Sequence, residues 1–331
     1  MLILGINETS HDASLSLIKN GNILFAGHSE RYSKEKNDWY INKSLIDDVL
    51  SYGKPDIAAY YEKPFLKKSR LLLGGGYGEW KPKFIPGVPI KKFKHHHSHA
   101  AAGYFTSKFN DAVVVVLDSI GEWTTSSVWL GKDNDLKRIK SYYYPFSFGL
   151  FYSAFTKLIG LKPNEEEYIM MGMAAYGDPY KYYSKINNYF PSINNQSYNF
   201  HKGITDWNLK ITDEDRFDIA SSAQMIYEKR LIDFMKMVKE DTKKNNLVFM
   251  GGCALNCSAN TALWEIFSNI WIMPNSGDSG SSLGAAAALY GKHINWETPY
   301  LGHDLKNEYR CDDIVNGLIK GWLQLQKLGG K

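Results

Sequence analysis

The chain has 331 residues, of which 44% are hydrophobic and 22% are charged, which is the profile of a globular protein with enough material for one large domain or two lobes. Its formal net charge of +4 is too small to predict nucleic-acid binding by the whole protein. Three cysteines cannot build a disulfide framework, and Cys253 and Cys257 lack CxxC spacing, so we expect reduced thiols. The start of the chain lacks signal-peptide features and no apolar run has membrane-span length, so we expect a cytoplasmic protein.

Two stretches of the sequence predict the same order of strands and turns. LILGIN, ASLSLIKNG and NILFAGHSE read as three strands, with Asn20-Gly21 as a hairpin turn. Residues 112–139 repeat this order: the strand AVVVVLD leads into the turn SIGEW, and TTSSVWLGKDNDLKRI contains a second strand, a polar turn and a third strand. We interpret this as an internal duplication of a β-meander, which predicts a two-lobed α/β protein with a cleft between the lobes.

Helical segments follow the strands in the second half of the chain. The pattern predicts helices over 150–161, 218–244 and 279–291, and a buried strand between 246 and 251. The segment 62–94 is rich in proline and glycine and carries nine Lys or Arg, so it predicts a loop. This loop is either a solvated surface or a collar that attracts an anionic ligand.

The run KHHHSHAAAGYF places four histidines in five positions, 95, 96, 97 and 99. If a helix begins at His95, then His95 and His99 stand at i and i+4 on one face, which is the spacing of two imidazole ligands to one metal ion. His96 lies about 100° around the helix and is not expected to be a direct ligand. The alternative is a helix N-terminus that is merely polar.

Two aspartates strengthen the metal hypothesis. Asp118 follows the apolar strand VVVVL, where a carboxylate commonly lies at the mouth of a sheet, and Asp278 lies in the Gly/Ser-rich loop PNSGDSGSS that opens a helix. Two histidines and two aspartates would suit Fe, Mn or Zn. Taken singly, either aspartate could instead be a helix cap or a turn residue.

Three further stretches are candidates for ligand binding. In LVFMGGCALNCSAN, a strand runs into Gly251 and Gly252, where the backbone could pass close to an adenosine or a phosphate. In NETSHDAS, His11 and Asp12 are either turn residues or an acid/base pair that faces the cleft. The stretch GLKPNEEEYIMMGMAAYGDP combines three glutamates with a small, apolar segment.

These stretches occur together and in order with GINETSHDASLSL, HSERYSKEKND, LDSIGEW and GDSGSSLGAA. Over about residues 1–305, the chain resembles the N-terminal domain of the O-carbamoyltransferases of the nodulation and antibiotic-tailoring type. That domain is similar to the tRNA threonylcarbamoyl transferase. The resemblance implies the actin-like/sugar-kinase/Hsp70 ATPase fold, with two ribonuclease-H-like lobes at 1–110 and 111–295 and a C-terminal linker or tail at 296–331.

The resemblance also implies roles for particular residues. The metal, iron or else zinc or manganese, would be held by His95, His99, Asp118 and Asp278. The AMP moiety of a carbamoyl-adenylate, made ultimately from carbamoyl phosphate and ATP, would be bound near Gly251, Gly252, Asn256, Gly277 and Glu167. His11 and Asp12 would be catalytic, with His11 close to the transferred group.

The implied activity is O-carbamoyl transfer to a hydroxyl of a small-molecule or nucleotide acceptor. Two features depart from the family: Ile169 stands where a lysine is usual, and no arginine motif GRxExGPRxLG follows PYLG. We therefore expect that the chain alone does not make the adenylate: either the second domain is missing by truncation, or another chain makes the adenylate, or this domain uses a different donor. Two alternatives are threonylcarbamoyl transfer to tRNA, with residues 62–94 against the RNA, and a catalytically idle nucleotide-binding partner subunit.

Overall fold

A computed structural model describes residues 1–9, 11–67, 84–188 and 211–302. In these ranges the fold is mixed α/β and contains two five-stranded sheets. The strands of the first sheet are β1 (Leu2–Asn7), β2 (Ser14–Lys19), β3 (Asn22–His28), β4 (Ile57–Tyr60) and β5 (Ile90–Lys92). The strands of the second are β6 (Asp111–Gly121), β7 (Thr124–Lys132), β8 (Asp135–Tyr143), β9 (Asn246–Met250) and β10 (Asn269–Trp271).

The two sheets have the same strand order. In the first sheet the order is β3-β2-β1-β4-β5, and in the second it is β8-β7-β6-β9-β10. In each, the first strand lies at the centre with an antiparallel meander on one side and two parallel strands on the other. The predicted repeat of the meander is therefore confirmed. At the first hairpin, Asn20 and Gly21 have φ angles of 52° and 87°, as a tight turn of this type requires.

The predicted helices are present, with ends shifted by a few residues. The long helix begins at Asp213 rather than at 218, because the Thr212 and Asp215 side chains form a capping box at its N-terminus. The helices are α1 (Glu30–Ser33), α2 (Lys43–Ser51), α3 (His95–Thr106), α4 (Phe148–Leu158), α5 (Glu167–Met173), α6 (Tyr183–Asn187), α7 (Asp213–Thr242), α8 (Cys257–Asn260) and α9 (Ser281–Tyr290).

Helices α3 and α9 lie between the two sheets. Their small side chains share one buried cluster with Ile3 of the first sheet and Val114 of the second. Gly284 shows why small residues are needed, because a Cβ there would lie 1.9 Å from the carbonyl oxygen of Ser98. The alanine-rich segments of the sequence thus let two helices and two sheets approach closely, and they bring the ends of β1, β6, α3 and α9 together.

The prediction for residues 62–94 is wrong at two places. Residues 90–92 form β5, which pairs in parallel with β4. Lys67 is not on a solvated surface: its side chain is 15% exposed, and its Nζ atom donates to the Glu62 carboxylate at 2.8 Å and to the Thr9 carbonyl at 2.9 Å. Buried ammonium groups need such partners. The rest of the predicted loop, 68–83, lies outside the described residues.

Three other expectations concern the chain as a whole. Cys253 and Cys257 are free thiols, as predicted. Among the described helices, none combines the length and the apolar character that crossing a membrane requires. Most of the predicted tail, from residue 303 onward, lies outside the described residues, so the limits of the lobes and the tail stay predictions.

Candidate metal centre

Helix α3 begins at His95, as the histidine run predicts. One turn later His99 follows, and the two imidazole rings lie with their centroids 4.7 Å apart and their Nε2 atoms 3.0 Å apart. His95 is 3% exposed and His99 is fully buried. The first turn of the helix therefore presents two ring nitrogens to the same point in the interior.

Two carboxylates reach this point from other elements. Asp118, in an irregular part of β6, places Oδ2 2.9 Å from Nε2 of His95. Asp278 lies directly before α9, and its Oδ1 atom is 3.1 Å from Nε2 of His99 and 3.3 Å from Nε2 of His95. One ligand atom from each of the four residues lies within 4.8 Å of all the others. The sequence places these residues up to 183 positions apart, and the fold brings them together.

The chemistry of this cluster fits a cation. Within the described ranges, every ion pair of Asp118 and Asp278 is with a histidine, so no lysine or arginine neutralises the two carboxylates. Imidazole nitrogens and carboxylate oxygens are ligands of Fe, Mn and Zn. The Nδ1 atoms of His95 and His99 are buried without a partner among the described residues. These four residues could therefore hold a divalent metal through their Nε2 and carboxylate oxygen atoms.

The pKa shifts of His95, Asp118 and Asp278 reflect the attraction between the imidazoles and the carboxylates of the cluster. Burial by itself lowers the pKa of His95, but the charge of Asp278 and the hydrogen bond to Asp118 outweigh it and raise the pKa well above its ordinary value. Burial likewise raises the pKa of Asp118, yet the hydrogen bond with His95 holds it below its usual range. The pKa of Asp278 is lowered in the same way, against burial, by the charges of His95 and His11. Both carboxylates are thus kept ionised.

His11 and Asp12 lie beside this cluster. Nδ1 of His11 is 2.9 Å from Oδ2 of Asp12, and Nε2 of His11 is 3.6 Å from Oδ2 of Asp278. The His11 side chain is 40% exposed. Burial lowers the pKa of His11, but the charge of Asp278 and the hydrogen bond to Asp12 raise it to about 9. Because the Asp12 carboxylate accepts the Nδ1 proton, Nε2 is the atom that gains and loses a proton, and it carries that proton below a pH of about 9.

The other two histidines of the run point elsewhere. Nδ1 of His96 is 2.9 Å from the Ser127 hydroxyl, which also accepts the indole N–H of Trp129. His97 packs edge-on against Phe93 and stacks on Trp129. The expectation that His96 is not a direct ligand therefore agrees with its position.

Two residues that the sequence analysis did not single out surround His95. A Cβ at Gly121 would lie 2.2 Å from Cδ2 of the His95 ring, so only glycine fits there. Glu122 is 4% exposed, has a φ of 57°, and accepts the backbone N–H of Lys63 at 2.9 Å and that of His95 at 3.4 Å. A buried, left-handed glutamate is rare. In the sequence, the Gly-Glu pair that begins three residues after Asp118 was the signal that could have identified these two neighbours of His95.

A cavity of about 630 Å³ opens above the cluster. His11, Asp12, Asp118 and Asp278 line its wall. Four of the five residues predicted to bind the nucleotide also line it, and these are Glu167, Gly252, Asn256 and Gly277. Gly251 does not line the cavity; its φ of 93° and its approach to the Leu117 carbonyl turn the chain from β9 into the cavity wall.

Two of these wall residues are already hydrogen-bonded within the protein. Oε1 of Glu167 accepts from the Ser153 hydroxyl at 2.6 Å and from the backbone N–H of Asn164 at 2.7 Å. The Asn256 amide makes two bonds with Gln224, and its oxygen also accepts from Ala259 at the start of α8. As placed, Asn256 has the role of a structural cap at the cavity wall.

The far side of the cavity contains residues for which the sequence analysis proposed no role. Nδ2 of Asn37 donates to the Asn164 carbonyl at 3.2 Å, and Nζ of Lys36 lies 6.0 Å from the centroid of the Tyr168 ring. All four residues line the cavity. Two loops that are far apart in sequence therefore meet at one wall.

The chain matches a family of known proteins over most of its length. Residues 57–287 match the family described as "Carbamoyltransferase N-terminus". This match covers well over half of the chain and includes the segments that carry His95, His99, Asp118 and Asp278. The chain therefore belongs to the carbamoyltransferase N-terminus family, which is a family of transferases.

Several curated proteins are similar to this chain in sequence. An uncharacterized protein of Synechocystis sp. is 32% identical, over 89% of this chain and 58% of its own length. Nodulation protein NolNO of Sinorhizobium fredii is 24% identical, over 96% of this chain and 56% of its own length. The 3'-hydroxymethylcephem-O-carbamoyltransferase of Amycolatopsis lactamdurans is 24% identical, over 94% and 65% respectively. The chain thus spans less than two thirds of the length of these relatives.

Among solved structures, full-length HypF in its phosphate- and nucleotide-bound form is 14% identical to this chain. The match has a TM-score of 0.49 and covers 87% of this chain and 55% of HypF. This likeness is too distant to support an inference about ligands.

Proposed function

We propose that this chain transfers a carbamoyl group from carbamoyl-adenylate to a hydroxyl of an acceptor molecule. The observation that carries the proposal is that Asp118 and Asp278 of the four-residue His/Asp cluster line the wall of one cavity together with His11. The name of one relative, 3'-hydroxymethylcephem-O-carbamoyltransferase, supports a hydroxyl as the acceptor.

In the proposed reaction the acceptor oxygen attacks the carbonyl carbon of the adenylate. The bond between that carbon and the phosphate oxygen breaks, AMP leaves, and the hydroxyl proton moves to Nε2 of His11. The hydrogen bond between Nδ1 of His11 and Asp12 holds the unprotonated ring in the tautomer whose Nε2 can accept, and a divalent metal on Asp278 would offset the carboxylate charge that raises the pKa of His11. A divalent metal held by His95, His99, Asp118 and Asp278 would supply Lewis-acid stabilisation of the negative charge that develops on the carbonyl and phosphate oxygens.

The AMP moiety is proposed to lie along the wall formed by Gly252, Gly277 and Glu167. Gly252 supports this placement because it carries no side chain where the wall passes Asp118: a Cβ there would lie 3.2 Å from Oδ1 of that aspartate. The position of this wall next to the cluster would bring the carbamoyl end of the adenylate toward His11. Iron is our proposal for the metal, with zinc or manganese as the other candidates.

The actin-like fold with two ribonuclease-H-like lobes is also a proposal. It is supported by the identical order of the strands in the two sheets, each with a central first strand, a meander on one side and two parallel strands on the other. A cavity at the ends of β1 and β6 is where such a duplicated fold would bind a nucleotide. A further proposal is that the adenylate is supplied by another domain or chain.

The proposal is tested by supplying preformed carbamoyl-adenylate, a panel of alcohols and amines, and Fe²⁺, Zn²⁺ or Mn²⁺ to the full chain. We expect AMP release that depends on the alcohol, together with a product whose mass is increased by one carbamoyl group. Transfer only to an amine would favour the threonylcarbamoyl alternative. No transfer to any acceptor, with metal bound, would favour an idle partner subunit and contradict the proposal.

A further inference from the structure

Asn7, the last residue of β1, connects the two loops that carry His11 and Asp278. Its side chain is fully buried. Its Nδ2 atom donates to the backbone carbonyl of Asp12 at 2.9 Å and to the backbone carbonyl of Asp278 at 2.8 Å. The second of these bonds spans 271 residues of sequence.

The geometry fixes the orientation of this amide. Both partners are carbonyl oxygens, which can only accept, so the NH₂ group must face them and each of its two N–H bonds has one acceptor. The amide oxygen of Asn7 is buried and has no partner among the described residues. A buried polar atom without a partner lowers the stability of the fold. The favourable contribution of the Asn7 side chain therefore comes from the two hydrogen bonds that its NH₂ group donates.

These two bonds hold the backbone next to His11 and the backbone of Asp278, and so affect the distance between the two side chains. Asp12 has a left-handed φ of 64°, so the position of its carbonyl is fixed by an uncommon backbone conformation next to His11. The Asp278 carbonyl belongs to a residue whose carboxylate lies 3.1 Å from His99 and 3.6 Å from His11. Among the described residues, Asn7 is the side chain that joins these two carbonyls, while the carboxylates of the same two residues are linked through the His11 ring.

We infer that Asn7 is a positioning residue, which sets the distance between the His11 imidazole and the Asp278 carboxylate by bridging the backbones on which they stand. The inference rests on the proposed function, since it assumes that Asp278 is a metal ligand. It predicts that aspartate cannot replace Asn7, although aspartate has the same shape, because an ionised carboxylate has no donor and would face two carbonyl oxygens.

The test compares the full-length wild type with Asn7→Asp and Asn7→Ala by Co²⁺ titration, followed by the visible absorption of the bound ion. Asn7→Asp is expected to bind Co²⁺ about 10- to 100-fold more weakly, the range for residues that orient metal ligands, and with an altered absorption spectrum. Asn7→Ala removes both donors without adding a charge, so its loss of affinity is expected to be smaller. The matched control is Asn246→Asp. Asn246, the first residue of β9 in the second sheet, also donates its side-chain amide to a backbone carbonyl, that of Asp111.

Three results would contradict the positioning role of Asn7. Wild-type affinity and spectrum in both Asn7 variants, with Co²⁺ bound by the wild type, would overturn it and leave the proposed metal centre intact. No Co²⁺, Zn²⁺ or Fe²⁺ binding by the wild type would overturn the metal centre and the inference together. An equal loss in Asn246→Asp, or a failure of both Asn7 variants to fold, would mean that Asn7 serves stability in general, and this would also overturn the inference.

Discussion

The Nε2 atom of His11 lies 3.6 Å from the Oδ2 atom of Asp278, so the proposed base and one proposed metal ligand share one cavity wall. The two residues come from opposite ends of the chain and meet where β1 and α9 pack together. A base must lie within reach of the proton that it takes, and a metal must lie near the oxygens on which charge develops. In the proposed reaction, one adenylate bound at this wall would meet both requirements.

Replacing His11 by Gln should separate catalysis from metal binding. Gln keeps a polar side chain but cannot accept the hydroxyl proton, so carbamoyl transfer from supplied adenylate should fall about 100- to 10,000-fold. Metal content should stay at the wild-type level, because His11 is not among the four proposed ligands. His293→Gln is the control, since His293 bonds to the Ser107 and Asp133 carbonyls away from the cavity. Rates within threefold of wild type in His11→Gln would contradict the assignment of the base.

Replacing His99 by Ala should remove metal. The variant loses one of four ligand atoms, and we expect metal occupancy measured by elemental analysis to fall sharply, with a modest effect on folding. His96→Ala is the matched control on the same helix, because His96 is equally buried but bonds to Ser127 instead of the cluster. Equal metal content in the wild type and His99→Ala would contradict the site, as would a greater loss in His96→Ala.

Gly121→Ala should weaken metal binding without touching any ligand directly. The added Cβ would lie 2.2 Å from the His95 ring, so the ring would have to shift from its position between Asp118 and Asp278. We expect a loss of metal affinity of at least about tenfold, measured by competition with a chelator. Gly131→Ala controls for the steric clash, because its Cβ would lie 2.2 Å from the Tyr104 ring in the core. The control should lower the unfolding temperature and leave metal affinity unchanged; equal metal affinities in the two variants would contradict the supporting role of Gly121.

Gly252→Val should block the nucleotide. Its side chain would enter the cavity beside Asp118, where we propose that the AMP moiety lies. Calorimetry should show AMP affinity reduced at least tenfold, a change of about 1.4 kcal/mol. Gly172→Val serves as the control, since a Cβ at Gly172 meets nothing within 4 Å and Gly172 does not line the cavity. Unchanged AMP affinity in Gly252→Val would place the nucleotide elsewhere.

The sequence predicted those features that depend on residues close to one another along the chain. The spacing of His95 and His99 predicted that they share a helix face, and the repeated strand order predicted two similar sheets. Asp118 and Asp278 could be singled out because each lies at the end of a recognisable element. The Thr212 and Asp215 pair was also a local signal, and its omission moved the predicted start of α7 by five residues.

The remaining parts of the site depend on contacts that no local pattern encodes. The bond from Asn7 to Asp278 and the bond from Asn37 to Asn164 span 271 and 127 residues, and they exist only because the sheets and helices pack as they do. The closeness of Gly121 to the His95 ring is likewise a consequence of packing between β6 and α3. The role of Lys67 was misjudged for the same reason, since its partner Glu62 is buried by the fold.

The central claim is that one metal ion at the His/Asp cluster is required for carbamoyl transfer. The most direct measurement is the rate of AMP release from supplied carbamoyl-adenylate and an alcohol, at increasing metal content of a chelator-treated sample. We predict a rate that rises in proportion to bound metal and levels off at one equivalent per chain, with no such rise in His99→Ala. A metal-free sample that transfers the carbamoyl group at the full rate, with product confirmed by mass, would contradict the account.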